Sequence, residues 1–132
     1  MKILVMGHPG SGKTTLADKI GAWLSSEGYT VERLNADAIR SQYDDWDFSR
    51  EGRMRQAQRI ANLANKSPAD IVVADFVAAL SAQREVFDAD QTIWMDTLQS
   101  SQYEDTNKAF VPPTSYTHRI TSFKEANHAV CI

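Results

Sequence analysis

Gly7-His8-Pro9-Gly10-Ser11-Gly12-Lys13-Thr14 constrains this chain more than any other stretch, because it dictates what must stand on either side of it. A Gly, four free positions and Gly-Lys-Thr follow directly on the apolar run Ile3-Leu4-Val5-Met6. After it, Leu16, Ala17, Ile20, Trp23 and Leu24 recur at helical spacing. Strand, glycine-rich turn and helix in that order form the context in which this pattern cradles a polyphosphate. Glycines let the main chain turn its N–H groups inward, and the helix start adds the positive end of its dipole. Gly7 to Thr15 then form a nucleotide loop, with Lys13 reaching the β- and γ-phosphates of ATP and the Thr14 hydroxyl ligating Mg2+.

The 132 residues suffice for one core, so residues 1–132 are read as a single domain. With 42% hydrophobic and 23% charged residues the chain is globular, not disordered. A net charge of −3 gives no general attraction to nucleic acid or an anionic membrane, so an anionic ligand needs a local basic cluster. Lone Cys131 excludes an internal disulfide and fits a reducing compartment. No leader-like segment or membrane-length apolar run occurs, and a cytoplasmic location is expected. His8, His118 and His128 show no metal-ligand spacing.

Along the chain, Gly28 stops the first helix, and Tyr29 to Leu34 alternates as a second strand. Ala36 to Gln42 suits a short helix, and Ser49 caps a longer one running to about Asn65, with Ala57, Ile60, Ala61 and Ala64 as its buried side. Ile71 to Asp75 reads as a strand buried on both faces, and Ser81 to Phe87 as a helix. Thr92 to Met95 is a fourth strand. Residues 97–113 lack periodicity and read as a lid or binding loop; Tyr116 to Ser122 and Phe123 to Val130 follow as strand and helix. The alternation predicts an α/β fold, a three-layer α/β/α sandwich of the P-loop NTPase kind with a mainly parallel sheet of about five strands. Ligands of such sheets sit beyond the carboxyl ends of the strands, which gathers the glycine-rich loop, Asp37, Asp75 and Asp96 on one edge.

Asp37 past the second strand is placed to orient an acceptor hydroxyl, take its proton or hold Mg2+ through water; the plainer alternative is a helix N-cap. Arg40, three positions on, shares its helical face and suits an anionic acceptor group. Arg50, Arg53, Arg55 and Arg59 concentrate guanidinium groups on one helix, either to hold an anion or as a solvated face. Asp75 is a second acidic strand end, a water-mediated Mg2+ partner or a turn residue. Asp96 reads as a turn residue. Lys108 is the one base of the 97–113 segment, and Phe110 either stacks on a purine or is pinned to the core.

Together these residues resemble the adenylylsulfate kinases, well over residues 1–96 and loosely beyond. Asn35-Ala36-Asp37-Ala38-Ile39-Arg40 is similar to the family segment Asp-Gly-Asp-Asn-x-Arg, and Asp47-Phe48-Ser49-Arg50-Glu51-Gly52-Arg53 to Gly-Phe-Ser-x-x-Asp-Arg. The resemblance implies that Asp37 is the catalytic aspartate alongside Lys13. It implies acceptor contacts from Arg40, Phe48, Arg53, Gln56, Phe76, Lys108 and Phe110, and Mg2+ held by Thr14, Asp37 and Asp75. Arg84 matches a later family arginine. Asn35 stands where the family has aspartate, Asp75 where it has serine, and the lid is shorter and carries fewer bases than the family's.

The leading expectation is therefore phosphoryl transfer from Mg·ATP to a small anionic hydroxyl acceptor, adenosine 5′-phosphosulfate first. Alternatives are a kinase of another hydroxyl (a nucleic-acid end, modified nucleoside or small metabolite) and a nucleotide-binding regulator without transferase activity. No membrane partner is expected, and a homodimer is left open.

Overall fold

The computed structural model describes residues 1–125, which form a five-stranded, wholly parallel sheet in the order β2-β3-β1-β4-β5. The strands are β1 (Lys2–Gly7), β2 (Val31–Asn35), β3 (Ile71–Asp75), β4 (Gln91–Met95) and β5 (His118–Ile120). The helices are α1 (Lys13–Ser26), α2 (Ala36–Tyr43), α3 (Arg50–Lys66), α4 (Ser81–Phe87) and α5 (Glu104–Ala109).

Alternation along β1 builds two cores from one apolar run. Leu4 and Met6 face the layer of α2, α3 and α4, where Ile60, Ala57, Ala61, Phe76 and Phe87 fill the space. Ile3 and Val5 face the opposite layer, against Leu16, Ala17 and Leu24 of α1. Three layers result, with β1 and β3 at the centre.

Local chemistry sets the ends of α3 and α4 as the sequence predicts, while β2 runs from Val31 to Asn35 in place of Tyr29 to Leu34. Ser49 accepts a hydrogen bond from Gly52 N (3.1 Å) and opens α3, whose buried residues include Ala57, Ile60, Ala61 and Ala64. Ser81–Phe87 is helical, closed by Asp88 in the left-handed region. The long connection is not featureless. It contains α5, too short for a periodic signal, held by Asn107 Oδ1, which accepts from Ser101 N (2.7 Å). The last strand is also shorter than expected, His118–Ile120 in place of Tyr116 to Ser122. The predicted terminal helix begins at 123–125, and its remainder to Val130 lies outside the described residues.

Candidate active site

All five strands point their carboxyl ends at one edge, and a cleft of about 1430 Å³ opens there. The phosphate loop forms its floor. Gly12 is the N-cap residue of α1 at φ 94°, a conformation glycine adopts freely, and it offers no side chain to the first turn. The orphan N–H groups of α1 therefore stay free for an anion. Thr97 Oγ1 donates to Ser11 O (2.7 Å) and ties the far side of the loop to the end of β4.

Lys13 lies half-buried on the cleft wall, its Nζ 3.4 Å from His8 O. Burial pulls its pKa below the ordinary lysine value, opposed by the charges of Asp75 and Asp37. Among the described residues it forms no ion pair. A desolvated ammonium without a direct counter-ion favours an incoming phosphate.

Asp75, 1% exposed, ends β3 beneath the loop. Its Oδ2 accepts from Thr14 Oγ1 (2.7 Å) and Asn35 Nδ2 (2.9 Å), and its Oδ1 from Arg33 Nη2 (2.8 Å). A buried, threefold-bonded carboxylate is not a turn residue. Nor is Asp37 the helix cap: Asn35 Oδ1 takes the Ala38 N–H (2.9 Å), leaving Asp37 exposed on the first turn of α2 and on the cleft wall. Among the described residues no group of three His, Cys, Asp or Glu gathers to cage a metal. The donors present, one hydroxyl and two carboxylates, fit Mg2+, a hard cation carried largely by phosphates and water.

Opposite the loop, Arg40, Phe48, Arg53, Gln56 and Phe76 all reach the cleft wall. Arg40 is buried and donates through Nη1 to the carbonyls of Asp45 (2.9 Å) and Asp47 (3.2 Å), its guanidinium 4.3 Å over the Phe48 ring. Arg53 donates Nε to Phe48 O (2.8 Å) and Nη2 to Thr106 Oγ1 (3.0 Å). Burial lowers the pKa of both guanidinium groups, and each remains a cation. Gln56 has its amide committed, Nε2 to Ala36 O (3.0 Å) and Oε1 to Arg59 Nη1 (2.8 Å), so it braces the wall.

Several expectations need correcting. Arg55 and Arg59 do not serve an anion in the cleft. Arg55 pairs with Asp45 and Asp47, and Arg59 with Asp45 (3.1 Å), so they staple the acidic 44–48 connection onto α3. Gly52 is required for that approach, since a Cβ there would lie 2.2 Å from Asp47 O. Gly52→Ala is expected to destabilise the fold by about 1–3 kcal/mol, read by urea denaturation, while displacing Phe48.

Phe110 does not stand in the cleft either. Its ring stacks on His8 at 4.2 Å and packs against the core beside α3, so it is the pinned aromatic. Lys108 is exposed and absent from the cleft wall. His8, Gly7 and Ser11 lie behind the wall that Pro9, Gly10, Gly12, Lys13, Thr14 and Thr15 form. Asp96 pairs with Arg119, and Arg84 Nη1 fastens Ala78 O (2.8 Å) to Val111 O (2.9 Å). Sequence reasoning missed Trp46, Gln83, Glu104, Asp105 and Thr106 on the wall, and Arg33 beneath it. Trp46 alone had a signal, a large aromatic in a polar turn-rich stretch.

Comparison with known proteins matches residues 1–101 to the family model described as adenylylsulphate kinase. A probable adenylyl-sulfate kinase of Aeropyrum pernix is 37% identical over 87 residues, 64% of this chain and 48% of the relative. An adenylyl-sulfate kinase of Chloroflexus aurantiacus is 39% identical over 80 residues, 60% of this chain and 42% of the relative. The chain thus spans about half the length of these relatives or less. In fold it is similar to the Mycobacterium tuberculosis APS kinase solved in complex with AMPPNP and APS, with a TM-score of 0.76 at 18% identity, covering 98% of this chain and 95% of that one.

Proposed function

This chain belongs to the adenylylsulphate kinase family, and from that premise we propose that it transfers the γ-phosphoryl group of Mg·ATP to the 3′-hydroxyl of adenosine 5′-phosphosulfate. The observation that carries the reading is the convergence of Lys13, Asp37, Arg40, Phe48 and Arg53 on one cleft. Main-chain N–H groups at the start of α1, with Lys13, grip the donor phosphates. Bound Mg2+ supplies electrostatic relief for charge on the transferred group, and Thr14, Asp75 and Asp37 are the residues to hold it. Asp37 receives the acceptor hydroxyl proton. Phe48 offers a face to a planar base, and Arg40 and Arg53 bind the acceptor's anionic end.

One observation favours a second reading, a different hydroxyl acceptor. The segment over the cleft presents Glu104 and Asp105, not bases, to the wall. An ADP-release assay with adenosine 5′-phosphosulfate against nucleosides and 5′-hydroxyl oligonucleotides decides between them. Turnover is expected with the phosphosulfate and little effect of added salt. A preference for oligonucleotides, with affinity falling steeply as salt rises, favours the second reading. ATP binding without acceptor-dependent ADP release with any of them leaves a regulator.

No helix among the described residues is long and apolar enough to cross a membrane.

A further inference from the structure

Arg33 belongs to no motif, yet its side chain reaches the deepest carboxylate of the site. It runs past Gly21, where a Cβ would lie 3.1 Å from Arg33 Cδ. There its Nη1 donates to Val73 O (2.7 Å), its Nη2 to Asp75 Oδ1 (2.8 Å) and its Nε to Asp18 Oδ1 (3.1 Å). Only 22% of the Arg33 side chain is exposed, and 1% of that of Asp75. A charge so buried needs a partner, and the planar guanidinium, fixed at three acceptors, defines which way that partner faces.

We infer that Arg33 is a positioning residue for the metal-binding edge, acting through Asp75, with Asn35 as its second arm. Arg33 engages Oδ1. Asn35 Nδ2, level with Asp75 across the β2–β3 register, engages Oδ2 at 2.9 Å. The carboxylate is thereby held from both ends, and its Oδ2 faces the Thr14 hydroxyl at 2.7 Å. Thr14 spends its proton on Asp75 and one lone pair faces Asn35 Nδ2 at 3.3 Å, so its remaining lone pair is left for a cation on the nucleotide phosphates. Arg33 is not among the residues of the cleft wall. It sets the direction in which Thr14 is offered.

The assignment rests on the proposed use of Mg·ATP, and its test separates the two. A non-hydrolysable ATP analogue is titrated calorimetrically into the whole chain across a Mg2+ series, without acceptor, alongside thermal melting. For wild type, Mg2+ is expected to tighten binding; equal affinity with and without it overturns both the function and this assignment. In Arg33→Met the Mg2+ concentration for half-maximal tightening is expected to rise about 10–100-fold, with Mg2+-free affinity within about twofold of wild type. Arg33→Lys, which keeps the charge but not the planar fork, is expected to fall between the two and to remain folded if Arg33→Met does not. Arg33→Met or Arg33→Lys variants that melt earlier but respond to Mg2+ like wild type would reduce the pair to a structural ion pair and overturn the assignment alone.

Discussion

Replacing Lys13 by alanine is expected to cut turnover with any acceptor by at least about 10²–10³-fold, the range seen when one preorganised donor to a transition-state charge is removed. Lys13 is the half-buried ammonium on the phosphate loop, and burial already presses its pKa downward. Among the described residues the hydrogen bond of its Nζ is a long one, to the His8 carbonyl at 3.4 Å. The energy recovered when the ammonium meets the γ-phosphate is therefore spent where charge develops. Stability should move the other way: removing a desolvated cation leaves the melting temperature unchanged or raises it. Initial rates and thermal melts on the same preparation check both signs. A Lys13→Ala protein with wild-type turnover would take the loop out of the reaction.

Asp37→Asn is expected to lower turnover about 10²–10⁴-fold while leaving ATP affinity near that of wild type. The carboxylate stands exposed on the first turn of α2, and Asn35 supplies the helix cap, so the cap does not depend on its charge. An amide keeps the shape and hydrogen-bonding reach of the acid but cannot accept the acceptor's proton. Rates at saturating acceptor, set beside ATP binding by calorimetry, distinguish this from a metal-holding role. If Mg2+-dependent ATP binding weakens as much as turnover does, Asp37 serves the cation and the proton goes elsewhere.

Much of the architecture was legible because local rules agreed with one another. The four-residue apolar run before Gly7 had to be a buried strand, Ser49 had to open a helix, and Ala57, Ile60, Ala61 and Ala64 had to face inward. What escaped depends on reach. By spacing alone Arg53 is one of four α3 guanidinium groups that either hold an anion or face solvent, and only the family resemblance singles it out for the acceptor. It is 5% exposed because Thr106 and the Phe48 carbonyl receive it. No periodicity tells which long side chain finds a buried acceptor across 53 positions. The pairing of Arg55 and Arg59 was closer to hand: an acidic 44–47 stretch immediately before a basic helix start is a local charge match. Phe110 shows the opposite limit. Its distance from His8 in sequence hides a stack that only the fold of α5 creates.

The level pairing of Asn35 with Asp75 bears on which of the two strands must carry the charge. Two neighbouring strands of a parallel sheet bring their last residues to the same height, so a negative charge can migrate sideways by one strand while every backbone atom stays put. A comparison that scores each column alone then counts two losses, an acid gone here and a hydroxyl gone there. Read across the ladder, the same pair is a single transfer with the total charge conserved.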